Sequence, residues 1–135
     1  MAGEYSIGDL AKATGTKVQT IRYYEERGIL SAPPRTNGGQ RRYSLLHLKQ
    51  LSFIRQGRGM GFSLDMVSDL LRLSAQPNAF CQEADTIATE HLKNIESQIE
   101  RLILLRDELK HVLKQSCEGT VDHCRVLETL SGDPL

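Results

Sequence analysis

Three thiols stand at the two ends of one long segment that contains neither proline nor glycine. Cys81 precedes it, Cys117 follows it, and Cys124 closes the loop "CEGTVDHC". Three thiolates suit a soft or borderline divalent cation: Hg(II), Cd(II), Pb(II) or Zn(II). In a reducing compartment an odd count favours free thiols or metal ligands over structural disulfides. The segment from about Gln82 to Gln115, taken as one helix, is roughly 50 Å long. Cys81 and Cys117 of one chain therefore cannot share an ion. In an antiparallel pair of such helices, however, the start of one lies beside the end of the other. Cys81 of the partner subunit then meets Cys117 and Cys124, and two-fold symmetry gives two identical sites, one ion per subunit. His123, next to Cys124, is a candidate fourth ligand. His47, His91 and His111 read as surface or seam residues. The bland alternative for Cys81 is a small buried hydrophobe.

A second constellation sits in "KVQTIRYYEERGIL", residues 17–30. Lys17, Gln19, Thr20, Arg22 and Tyr23 crowd one flank of a short helical stretch beside few aliphatics. Duplex DNA asks for such side chains. Lys and Arg meet phosphates and guanine edges, Gln and Thr meet base edges, and Tyr hydroxyls meet phosphates. Tyr24 reads as core. Residues 17–58 hold nine Lys/Arg and two Asp/Glu, the densest positive stretch in the chain. The bland reading is a solvated amphipathic helix, which does not account for that density.

The elements that must position these groups follow from local signals. Ser6 and Asp9 read as a capping box before the periodic Ile7, Leu10 and Ala11. That helix stops near Thr14-Gly15. Thr16 caps a second helix, which Gly28 ends, and the pair forms a helix-turn-helix. Pro33-Pro34 bars helix, and Asn37-Gly38-Gly39 reads as a hairpin turn. A two-stranded wing is expected there, with Arg35 before the turn and Arg41, Arg42 and Tyr43 after it. Ser44 caps a third helix that ends by Gly59-Met60-Gly61. Ser63 caps a fourth, with Leu64, Val67, Leu70 and Leu71 inward. In the long helix Leu92, Ile95, Ile99, Leu102, Leu109 and Leu113 form a heptad seam with one gap at Arg106, which calls for a coiled-coil partner. "RVLETL" is a last short helical turn.

The fold class is thus mainly α. A winged helix-turn-helix DNA-binding domain spans 1–74, a connector 75–81, a long antiparallel coiled-coil dimerisation helix 82–116, and a metal-binding loop with a short C-terminal helix 117–135. The candidate DNA-contacting residues are Thr16, Lys17, Gln19, Thr20, Arg22, Tyr23, Arg35, Arg41, Arg42, Tyr43 and Arg55. Net charge is zero, but residues 1–73 carry eleven Lys/Arg against six Asp/Glu and the remainder carries the reverse. That asymmetry favours a polyanionic partner for the first half. No apolar core of a signal peptide and no run of about 18 apolar residues is present, so a cytoplasmic address and no membrane partner are expected.

"SIGDLAKATGTKVQTIRYYEERGIL", then "GGQRRY" and "LSFIRQGRGMGFSLDMVSDLLRL", resembles the MerR family of bacterial transcription regulators over nearly the whole chain. Where many members carry Tyr before the wing Arg, this chain has Gln40. The resemblance implies a homodimer that binds a palindrome in an over-long promoter spacer. It also implies activation by DNA distortion, with RNA polymerase as the further partner and heavy-metal resistance or efflux genes as targets. Similar members use the loop cysteines as metal ligands. Those that sense monovalent ions carry Ser at the position of Cys81, so Cys81 points to a divalent ion. Zinc-sensing members tend to have paired cysteines where Ser116-Cys117 stands. The loop is two residues shorter than in mercury sensors and looks more like that of cadmium and lead sensors. The clustered cysteines of iron–sulfur members are lacking.

Two rivals follow. A thiol-redox regulator would pair Cys117 with Cys124. A zinc hydrolase needs an open coordination position and a placed general base, and no nearby Glu-His pair supplies one, so an enzyme is not expected.

Overall fold

The computed structural model describes residues 4–34, 38–39, 42–114 and 119–132. Six α-helices follow one another: α1 (Ile7–Thr14), α2 (Val18–Glu26), α3 (Leu45–Gly59), α4 (Leu64–Ser74), α5 (Cys81–Lys114) and α6 (Arg125–Leu130), with a 3₁₀ turn at Val121–His123. Among the described residues there is no strand and no helix long and apolar enough to cross a membrane. The chain divides into two compact units, Met1–Ile87 and Ala88–Leu135.

Local chemistry sets the helix ends of the first unit. The Asp9 amide donates to Ser6 Oγ at 3.1 Å and the Ser6 amide to Asp9 Oδ2 at 3.2 Å, a reciprocal box that satisfies two orphan donors. Gly15 ends α1 with φ 67°, a left-handed conformation that glycine adopts without a Cβ penalty. The Arg55 guanidinium fills the space where a Cβ would stand and donates to the Thr14 carbonyl. The Thr16 amide turns back to the Ala11 carbonyl at 3.1 Å. This use of Thr16 in the turn corrects one expectation: Lys17, not Thr16, is the N-cap of α2, and its side chain makes no capping bond. Ser63 caps α4 through the Met66 amide.

The core of this unit is Leu10, Ile21, Ile29, Leu30, Tyr43, Leu51, Ile54, Phe62 and Val67. Each helix of the unit gives one apolar stripe to it, and burying an aliphatic side chain of this size stabilises by about 1.5–3 kcal/mol. α3 and α4 approach closely because Gly57 has no side chain; a Cβ there would lie 2.8 Å from Val67 Cγ2. Ile87, in the second turn of α5, packs against the same core.

The expected two-stranded wing falls largely on residues outside those described; at its base the Arg42 amide donates to the Pro34 carbonyl at 2.9 Å. Tyr43 pairs with Tyr5 in an isolated antiparallel bridge, with both N–H···O bonds at 2.8 Å. Asn37, Gln40, Arg35 and Arg41 lie outside the described residues.

In the second unit α5 carries no buried residue. The seam residues Leu92, Ile99, Leu102, Leu109 and Leu113 are all half or more exposed in the single chain. A stripe of five such side chains on one face is far more apolar surface than a solvated helix presents.

Candidate nucleic-acid interface and metal ligands

α2 is two-faced by its helical period. Ile21 is fully buried and Tyr24 packs partly against the core, while Gln19, Arg22, Tyr23, Glu26 and Arg27 are exposed. The steps of three and four residues put these exposed side chains on one outward stripe. At its N-terminal end Gly15, Thr16, Lys17, Thr20, Tyr24, Arg55 and Arg58 line an open cleft of about 400 Å³ with Leu51 and Ile54 at its floor. Three cations, Lys17, Arg55 and Arg58, thus meet in one cleft. Arg58 was absent from the residues singled out in the sequence; its guanidinium donates to the Phe62 carbonyl at 2.8 Å.

Tyr23 is 43% exposed. Its hydroxyl accepts a hydrogen bond from Arg27 Nη1 at 2.8 Å, and the Arg27 guanidinium lies 5.7 Å from the ring centre. Arg42 is half-buried, and its Nε has no hydrogen-bond partner among the described residues.

Tyr43 is corrected from a DNA contact to a core residue. Its side chain is 1% exposed. The hydroxyl donates to Glu25 Oε1 at 2.9 Å, and the ring meets that of His47 edge-on at 5.3 Å. Through the bond to Glu25 the side chain ties the segment before α3 to α2. His47 is corrected as well, from a surface residue to one 4% exposed. Its Nδ1 accepts from the Ser44 amide at 2.9 Å, so Nε2 carries the proton and donates to the Ser31 carbonyl at 3.0 Å. Burial pushes the imidazole below its ordinary 6.5, opposed by the Ser31 bond and by the charge of Glu25.

Of the expected metal ligands, Cys81 is the first residue of α5 and is exposed. It borders an apolar recess of about 260 Å³ lined also by Phe53, Leu70, Leu73, Ala79, Phe80 and Ala84. Cys124 is the N-cap residue of α6, half-buried, and has no side-chain capping bond. Its thiol is therefore not committed to the helix it precedes. His123 is exposed and closes the 3₁₀ turn. Cys117 lies outside the described residues. Among those described, no three His, Cys, Asp or Glu side chains of the single chain gather around one point.

Helix-turn-helix geometry, a basic cleft and an outward polar stripe define a nucleic-acid-binding regulatory protein. Residues 5–74 match the family described as MerR HTH family regulatory protein, and residues 48–112 match that described as MerR, DNA binding. The chain is 38% identical over 130 residues to the HTH-type transcriptional regulator ZntR of Escherichia coli strain K12, covering 93% of this chain and 92% of that one. It is 35% identical over 128 residues to the transcriptional regulator CueR of Salmonella typhimurium, covering 94% and 92%. The crystal structure of the transcription regulator PbrR691 from Ralstonia metallidurans CH34 in complex with lead(II) superposes with a TM-score of 0.83 at 32% identity, covering 93% of this chain and 98% of that one. The chain belongs to the MerR family of helix-turn-helix regulatory proteins. Its relatives are transcriptional regulators and not enzymes.

Proposed function

We propose that this protein is a metal-responsive transcriptional regulator. It binds a palindromic promoter as a homodimer through α2, the α2–α3 segment and the cleft at Lys17, Arg55 and Arg58. The observation that carries the metal part is the placement of the thiols. Cys81, free and exposed, opens α5, and Cys124 precedes α6 without a side-chain capping bond. The exposed seam of α5 calls for a second copy, and an antiparallel pairing brings Cys81 of the partner subunit to Cys117 and Cys124.

A trithiolate set fits Cd(II), Pb(II), Hg(II) or Zn(II). Likeness to a regulator crystallised with lead(II) supports a divalent ion. Cys117 and Cys124 of one subunit with Cys81 of the partner subunit would hold the ion, which would tie the loop of one subunit to the α4–α5 junction of the other. The residues of this chain do the rest. Cys81 adjoins Phe80 and the recess against α3 and α4, so tension at Cys81 acts on the unit that holds α2. A shift of the two α2 helices relative to each other then untwists the promoter and makes it usable by RNA polymerase. By linkage, the ion must bind the activating arrangement more tightly than the silent one. The genes controlled are those of heavy-metal efflux or resistance, and the protein works in the bacterial cytoplasm with its DNA.

The test is transcription from the bound promoter with each of the four ions, in wild type and Cys81→Ser. The variant is expected to bind DNA as before and to lose induction. Undiminished induction in Cys81→Ser overturns the shared site. Induction by a thiol oxidant without metal, requiring both Cys117 and Cys124, indicates the redox reading instead.

A further inference from the structure

α2 and α4 are joined at the surface by a short relay. Arg27 lies one residue past the end of α2. Its Nη1 donates to the Tyr23 hydroxyl at 2.8 Å, one helical turn back, and its Nη2 reaches Asp65 Oδ1 in the first turn of α4 at 3.5 Å. The guanidinium also stands 5.7 Å from the Tyr23 ring centre. All three side chains are substantially exposed, Arg27 by 47% and Asp65 by 87%. Nothing in the core requires the relay, which makes its ordered geometry on the outward face of α2 notable.

A phenol has one hydrogen to give and lone pairs to receive. With Arg27 donating to the oxygen, the hydroxyl hydrogen cannot point back at Arg27 and is turned outward. The adjacent guanidinium also withdraws charge from the oxygen, which strengthens the O–H as a donor to an anion. We propose that Arg27 is a positioning residue for DNA recognition: held by Asp65, it orients the Tyr23 hydroxyl as a donor to a backbone phosphate and does not contact the phosphate itself. This rests on the reading that the outward face of α2 lies on a duplex.

The distinction is measurable. The full-length protein is titrated with a duplex selected by the wild type from a random pool, across a range of salt. Wild type, Tyr23→Phe, Arg27→Gln and the double variant are compared. A charge-assisted hydrogen bond to phosphate lost in Tyr23→Phe should weaken binding about tenfold. Arg27→Gln should weaken it by a similar or smaller factor, and the double variant no more than Tyr23→Phe alone, since Arg27 acts only through the hydroxyl. The slope of log affinity against log salt should not change in Arg27→Gln. An Arg that touches phosphate directly lowers that slope by about one. Multiplicative losses in the double variant, or a reduced slope in Arg27→Gln, overturn the proposal while leaving DNA binding by α2 intact. Failure of the wild type to retain any duplex overturns both.

Discussion

Tyr43→Phe removes one oxygen and leaves the ring in place, so it isolates what the hydroxyl does. The ring is 1% exposed and sits against His47; phenylalanine fills the same space and opens no cavity. What is lost is the bond to Glu25 Oε1 at 2.9 Å. A hydrogen bond to a charged group is worth about 1.5–3 kcal/mol net, and the partly buried setting argues for the lower half, about 1.5–2 kcal/mol. Tyr43→Ala, which also empties the ring site, should cost about 3–5 kcal/mol. The assay is urea unfolding followed by circular dichroism at one fixed protomer concentration, because oligomer stability depends on concentration. The m-value should stay constant while the midpoint drops. If Tyr43→Phe unfolds with wild type and instead loses DNA affinity, the hydroxyl is a phosphate contact and the buried assignment fails.

Three further outcomes follow from the same geometry. His47 is held below its ordinary pKa, so the folded ring stays neutral where the unfolded chain already binds a proton. Stability should therefore decline as pH falls below about 6.5, levelling off once the folded ring also protonates. His47→Asn should flatten that part of the urea-midpoint profile, and an unchanged profile would remove His47 as its source. Gly15→Ala forces φ 67° on a residue with a Cβ and drives it into the Arg55 guanidinium. A loss of about 1–2 kcal/mol from the backbone alone is expected in the same unfolding assay, and a variant as stable as wild type would refute the turn geometry. Leu102, 64% exposed in the single chain, sits in the α5 seam. Leu102→Lys should shift sedimentation toward the monomer, and a dimer of undiminished stability would mean that the seam is not the contact.

The parts of the fold that were legible in the sequence are those written in short range. Ser6 with Asp9, and Ser63 with the Met66 amide, act within three residues, so the pattern announces them. α5 runs unbroken because nothing between Cys81 and Lys114 interrupts a helix, and α6 coincides with "RVLETL". What was not legible is long-range. Tyr43 looked like a DNA contact because it follows two arginines, yet its partners are Tyr5, Glu25 and His47, brought together only by the packing of α2 and α3. His47 looked polar and superficial; its Nδ1 closes a local box with the Ser44 amide, but its burial also depends on the Ser31 carbonyl, sixteen residues away, which Nε2 meets. Arg55 serves the Thr14 carbonyl across the turn, which no local pattern encodes. For the thiols, sequence gave the spacing along the helix; the site itself calls on a second subunit and on Cys117.

The central claim is that one ion is held by thiols of two subunits, and mixed dimers test it most directly. Cys81→Ser and Cys124→Ser subunits are denatured together, refolded under reducing conditions, and the heterodimer is isolated by two different tags. Cd(II) is then titrated while the thiolate-to-metal charge-transfer band is followed. Each homodimeric variant should show the band weakened or lost. In the heterodimer, Cys81 of one subunit faces Cys117 and Cys124 of the other in one intact set, so the band should return at half the wild-type amplitude, with one ion per dimer. A heterodimer that binds no better than its two parents would contradict the account, because thiols of a single subunit would then form each site.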